Sequence, residues 1–197
     1  MTSSARQWIN TRSGVAFRPL DARAEDVKTS DIAFALSNLC RYAGHVEFYS
    51  VAEHSVIVSR IVTALGGSLL DRRAALMHDA TEAYLVDLPR PIKHAPELAP
   101  YRAAEARLGA VIAARYGLKT LEPPIVQQVD GEMITLESER LIVNMHPDWT
   151  FRVPAGPVSR EAFRDFTSMY TLGCSPELAR RLFLAEFERL FAGSGIE

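Results

Sequence analysis

The residues of this chain best equipped for chemistry are a few histidines and the carboxylates near them in sequence. The pair His78-Asp79 lies inside an apolar stretch, LLDRRAALMHDATEAYL, where both groups are costly to bury unless something compensates them. A divalent metal would do so, because imidazole nitrogen and carboxylate oxygen are good ligands for Zn²⁺, Mn²⁺, Fe²⁺ or Co²⁺, with Mg²⁺ an option. A dipeptide supplies at most two of the four or more ligands needed. His54, in the middle of a helical run, is the best third ligand. Asp130 is the best fourth, since the segment QQVDGEMITLE buries Val129, Met133, Ile134 and Leu136 and brings the carboxylate close to an apolar face. Glu82, one turn after His78 on the same helix face, is placed to orient or deprotonate a water whose pKa a metal lowers, and Asp87 follows it beside the proline-rich loop, where it suits phosphate chemistry. Lys93 and Arg41 are cations suited to a phosphate, and His45 is either a pocket residue or ordinary surface. The competing reading is that HD dipeptides occur by chance and that buried histidines are more often hydrogen-bonded core residues than ligands. By the same logic Phe48, Tyr49 and Tyr84 either stack on a base or fill the core. His94, His146 and Trp149 show no partner pattern and receive no role.

These residues must be held by helices. Ser30-Asp31 caps a helix over about 31–42 that Gly44 ends, with Arg41 and Tyr42 at its C-terminal end. Ser50 caps a second, carrying His54 up to Gly66-Gly67, and a third runs from about Leu69 to the Leu88-Pro89-Arg90-Pro91 loop with His78, Asp79 and Glu82. Lys93 follows in that constrained loop. Further helices are expected over about 97–116, from Glu122-Pro123-Pro124 to about Met145 with Asp130, and over about 159–169 and 175–192. The fold class is therefore all-α: a single domain over 1–197, with a short extended arm or hairpin over 1–29, a metal-site core over 30–145, and a C-terminal loop and helices over 146–197.

Composition narrows the function classes. With 197 residues, 48% of them hydrophobic, the chain can bury a full core, which excludes disorder and fibrous repeats. A formal charge of −2 gives no global positive field, so nucleic acid is not an expected partner. Cys40 and Cys174 stand far apart, outside any thiolate zinc motif, which suits a reducing compartment. Apolar runs are interrupted well before about 18 residues, and MTSSARQW lacks the apolar centre of a signal peptide. A cytoplasmic protein with no membrane partner is expected; homo-oligomerisation stays open.

The ordered set of His54 in SVAEHS, His78-Asp79 in MHDATEAYLVDLPRPIK and Asp130 in QQVDGEMITLE resembles the HD-domain metal-dependent phosphohydrolases, over roughly residues 30–145. The similarity is nearest to the bacterial 5′-deoxynucleotidases and the related phage and bacterial enzymes that remove triphosphate from deoxynucleoside triphosphates. The resemblance implies an HD-domain helical bundle in which His54, His78, Asp79 and Asp130 hold one divalent metal ion. It further implies that Glu82 and Asp87 act around the attacking water and the phosphate, and that Arg41-Tyr42 contacts phosphate and nucleoside. Two-metal members of the family carry extra histidines between the HD pair and the final aspartate, whereas residues 80–129 contain only His94; a mononuclear site is implied. The expected activity is hydrolysis of the 5′ phosphate ester of a small-molecule (deoxy)nucleotide, releasing phosphate or triphosphate. The alternative is a non-catalytic nucleotide-binding or interaction module with a structural metal, and behind it an interaction domain in which the HD pair is coincidental.

Overall fold

Serines start three of the helices, as short polar side chains do when they satisfy the first free backbone N–H groups. Ser50 accepts from the Glu53 N–H, Ser175 from that of Leu178, and Ser68 forms a reciprocal capping box with Asp71. The computed structural model describes residues 7–150 and 153–196. A hairpin of β1 (Ile9–Asn10) and β2 (Ala16–Phe17), with Ile9 opposite Phe17, precedes the helices. They follow as α1 (Thr29–Asn38), α2 (Val51–Ala64), α3 (Leu69–Met77), α4 (Glu82–Leu85) and α5 (Arg90–Lys93), then α6 (Ala99–Arg115), α7 (Pro124–Leu141), α8 (Pro157–Met169) and α9 (Pro176–Phe191). The fold is all-α apart from the hairpin. The arm expected over 1–29 is that hairpin from Trp8 onward; residues 1–6, and Phe151-Arg152 of the expected 146–157 loop, lie outside the described residues.

The centre of the bundle is α2. Eleven of its fourteen residues are buried, because α1, α3, α7, α8 and α9 all pack around it. Over residues 51–59 the helix has no solvent stripe, so the polar residues there are internal and need internal partners. The hairpin is pinned to the same core: Phe17 is fully buried and stacks on Tyr84 with ring centroids 3.8 Å apart. Among the described residues no helix is long and apolar enough to cross a membrane.

Four boundaries differ from expectation where the site is built. Helix α1 stops at Asn38, so Arg41 and Tyr42 lie in a connecting loop and not at a helix end. Leu39 is extended, Cys40 bridges to Ser50, and the Arg41 N–H donates to the Tyr49 carbonyl at 2.9 Å; cross-chain pairing replaces the helical ladder. Helix α3 stops at Met77. The chain then tightens into turns, with the Ala80 N–H on the Met77 carbonyl and the Glu82 N–H on the Asp79 carbonyl, before α4 begins. Glu82 is thus on a separate helical turn and does not share a continuous helix face with His78. Lys93, expected in a loop, ends α5, and α7 ends at Leu141, short of Met145.

Candidate metal centre

Four potential ligand atoms converge where α2, the end of α3 and α7 meet. His54 Nε2 lies 3.2 Å from His78 Nε2, 3.6 Å from Asp79 Oδ2 and 3.2 Å from Asp130 Oδ1. His78 Nε2 lies 3.2 Å from Asp79 Oδ2 and 3.8 Å from Asp130 Oδ1. The His54-His78-Asp79 group can hold a metal ion, and Asp130 closes on it from α7.

Both imidazoles are fixed through their other nitrogen. His78 Nδ1 is 2.8 Å from the Ala75 carbonyl, which can only accept, so Nδ1 carries the hydrogen. His54 Nδ1 is 2.5 Å from Glu137 Oε1, deep in the core, where neither residue has any exposed surface. A neutral imidazole that donates through Nδ1 presents a lone pair at Nε2. Two such lone pairs facing each other at 3.2 Å repel unless a cation lies with them, either a proton or a metal ion. In the metal-free chain the proton serves. Burial would lower the basicity of His78, but the Asp79 and Asp130 carboxylates outweigh it and hold its pKa well above the ordinary value. Burial would likewise raise the pKa of Asp79, yet His78 and His54 pull it down to about 2.

Glu137 was not singled out in the sequence. Its signal was available, since it stands seven residues after Asp130 on α7 and so shares that helix face. Besides His54, it accepts from the Tyr49 hydroxyl at 3.0 Å, the Tyr42 hydroxyl at 3.0 Å and Arg41 Nη2 at 3.3 Å. Burial opposes its ionisation, but Arg41 and His54 hold its pKa below the usual value. Arg41 also reaches Asp79 Oδ2 at 3.5 Å, bridging a candidate ligand and the carboxylate that orients His54. The loop holds it there at a conformational cost: Tyr42 and Ala43 adopt φ of +57° and +51°, a left-handed conformation unfavourable for side chains with a Cβ.

Glu82 is buried, and its Oε2 makes no hydrogen bond among the described residues. Burial, then the charges of Asp79 and Asp87, push its pKa well above the ordinary carboxylate range. Asp87 follows Val86, whose φ of +62° is unusual for a β-branched residue, and burial raises its pKa as well. Lys93 is ion-paired with Glu105 at 2.6 Å; Glu82 and Asp79 also act on its charge, so it stands near the group but already has a partner. His45 is exposed at the end of a tight turn, and its ring makes no hydrogen bond or ion pair among the described residues. Tyr49 and Tyr84 belong to the core.

No family model matches the sequence. The chain is 35% identical over 184 residues to YfdR, an uncharacterized protein of Escherichia coli strain K12, covering 93% of this chain and 95% of that protein. It is 33% identical over 145 residues to an uncharacterized protein of Rhodobacter capsulatus, covering 69% of this chain and 74% of that one.

Proposed function

This chain belongs to the family of YfdR, and we propose that it is a metal-dependent phosphohydrolase of the HD-domain type, acting in the cytoplasm on the 5′ phosphate ester of (deoxy)nucleotides. The observation that carries the reading is the pair of Nε2 atoms facing each other at 3.2 Å beside two carboxylates. That donor set suits one divalent transition ion, held by His54, His78, Asp79 and Asp130. Such an ion, when bound, supplies Lewis acidity and lowers the pKa of a water to a value usable near neutral pH.

The chain's own groups supply the rest. Glu82, whose pKa burial raises and whose Oε2 has no hydrogen-bond partner among the described residues, is suited to hold a proton for the leaving oxygen or to take one from the attacking water. Asp87 faces the same region and is the second carboxylate there. Arg41 supplies positive charge at the edge of the ligand group, where a phosphate oxygen would otherwise meet Asp79 unshielded. Lys93 adds a second cation when the phosphate competes with Glu105 for it. A purely structural site would leave the orphaned, buried Glu82 without a purpose.

The test is metal content and phosphate release measured together. Wild-type protein purified without chelator is expected to carry about one equivalent of transition metal and to release phosphate or tripolyphosphate from a panel of ribo- and deoxynucleoside mono- and triphosphates. His78→Ala and Asp79→Ala are each expected to lose both; unchanged metal and turnover in either variant would overturn the reading.

A further inference from the structure

The chain between Leu85 and Ala95 carries Asp87 and Lys93, and both of its ends are tied to α6. Tyr101 Oη donates to the Leu85 carbonyl at 3.2 Å and to the Val86 carbonyl at 3.1 Å, sharing its one hydrogen between them. Arg102 Nη1 donates to the Lys93 carbonyl at 2.7 Å and to the Ala95 carbonyl at 2.8 Å. Glu105, one turn beyond Tyr101 on the same helix face, takes the Lys93 ammonium.

The two carbonyls that Tyr101 holds belong to the peptides on either side of the Val86 Cα. Fixing both peptide planes fixes the conformation of that residue, which has φ of +62° and ψ of 159°. Only glycine adopts this region readily, and a residue with a side chain persists there only where its surroundings hold it. Packing does not supply the hold, because Val86 is 51% exposed. The Val86 N–H donates to the Glu82 carbonyl at 2.9 Å, but that bond fixes only the peptide before the Cα. On the peptide after it, Tyr101 is the one donor to the Val86 carbonyl among the described residues. That second peptide leads into Asp87. Burial raises the pKa of Asp87, and the charges of Arg41, Asp79, His54 and Lys93 all act on it, so its carboxylate faces the metal group. A Val86 relaxed to negative φ would send the chain away from α4 in another direction and turn Asp87 with it.

We infer that Tyr101 is a positioning residue: its hydroxyl holds the strained backbone of Val86 and so keeps Asp87 directed at the metal group. The part this plays in turnover rests on the phosphohydrolase reading above, whereas the clamp itself is a property of the metal-free chain.

Tyr101→Phe removes the hydroxyl and keeps the ring. In the metal-free protein, exchange of the Val86 amide hydrogen is expected to quicken about tenfold, the scale of one neutral hydrogen bond lost beside a strained backbone. In the Zn²⁺-loaded protein, kcat for the hydrolysed nucleotide is expected to fall about tenfold, with KM and metal content within about twofold of wild type. Val86→Gly removes the penalty on positive φ, so adding Tyr101→Phe to a Val86→Gly chain is expected to lower kcat by no more than about twofold. A contribution to stability alone would give the same effect in both backgrounds. Unchanged amide exchange in Tyr101→Phe, or an equal fall in kcat with valine and with glycine at position 86, would overturn the inference. The two readings fail separately. Faster exchange in Tyr101→Phe, when the wild-type chain hydrolyses no nucleotide, would remove the hydrolase and keep the clamp, whereas hydrolysis with exchange unaltered would remove the clamp and keep the hydrolase.

Discussion

Replacing Glu137 by glutamine tests whether the buried carboxylate behind His54 governs the metal group. In the native chain Oε1 accepts from His54 Nδ1 and the Tyr49 hydroxyl, and Oε2 from the Tyr42 hydroxyl and Arg41. An amide keeps one acceptor and turns the other into a donor. If the new NH₂ faces Arg41, the guanidinium cannot accept from it and loses its closer carboxylate. If it faces His54, the imidazole can satisfy it only by moving its proton to Nε2, which removes the lone pair a metal needs. Breaking a buried ion pair costs about 3–5 kcal/mol, but Arg41 retains Asp79 at 3.5 Å and some exposure. A loss of about 2–3 kcal/mol in the metal-free chain is therefore expected, at or just below the low end of that range. Mispositioning His54 should weaken metal binding by about 10–100-fold, the usual scale for a residue that orients a ligand. Urea unfolding of the metal-free protein and competition for Zn²⁺ against a chromophoric chelator read the two effects separately. A Glu137→Gln chain that binds Zn²⁺ within about twofold of wild type would refute the argument that this carboxylate sets the tautomer of His54.

Glu82→Gln is expected to keep its metal and fold while turnover falls about 10²-fold or more; steady-state kinetics beside metal analysis would check it, and near-normal turnover would move the proton-handling role to Asp87. Glu53, fully buried and accepting the backbone N–H groups of Gly173 and Cys174, gives a pH prediction. Burial raises its pKa from 4.5 to about 7 against the pull of those hydrogen bonds. The folded chain then binds the proton more tightly than the unfolded one, so this group's contribution is greatest below about pH 4.5, falls as pH rises to about 7, and is level above that. The span is on the order of 3 kcal/mol. Urea unfolding at pH 5 and pH 8 should show that fall in wild type and its absence in Glu53→Gln; equal slopes in both would assign the pH dependence elsewhere.

Helix starts and the identity of the converging histidines and carboxylates were legible in the sequence because they are written in short range. Ser50 reaches the Glu53 N–H, and the periodicity of VAEHSVIVSRIV announces a buried helix whose histidine must find a partner. His78-Asp79 at the end of an apolar run and Asp130 beside buried neighbours made the same demand on other helices, and the fold brings these residues together. What the sequence could not decide depends on contacts between distant segments. Helix α1 ends early because Cys40 and Arg41 pair with residues on the far side of the 42–48 turn, a competition between backbone partners that side-chain periodicity does not register. Lys93 is committed to Glu105 only because α5 and α6 fold back on one another. Glu137 orients His54 across 83 positions and meets Arg41 across 96. A buried carboxylate is stable only where several donors arrive at once, and those donors, Arg41, Tyr42, Tyr49 and His54, lie in one stretch of chain that meets α7 only in the folded protein.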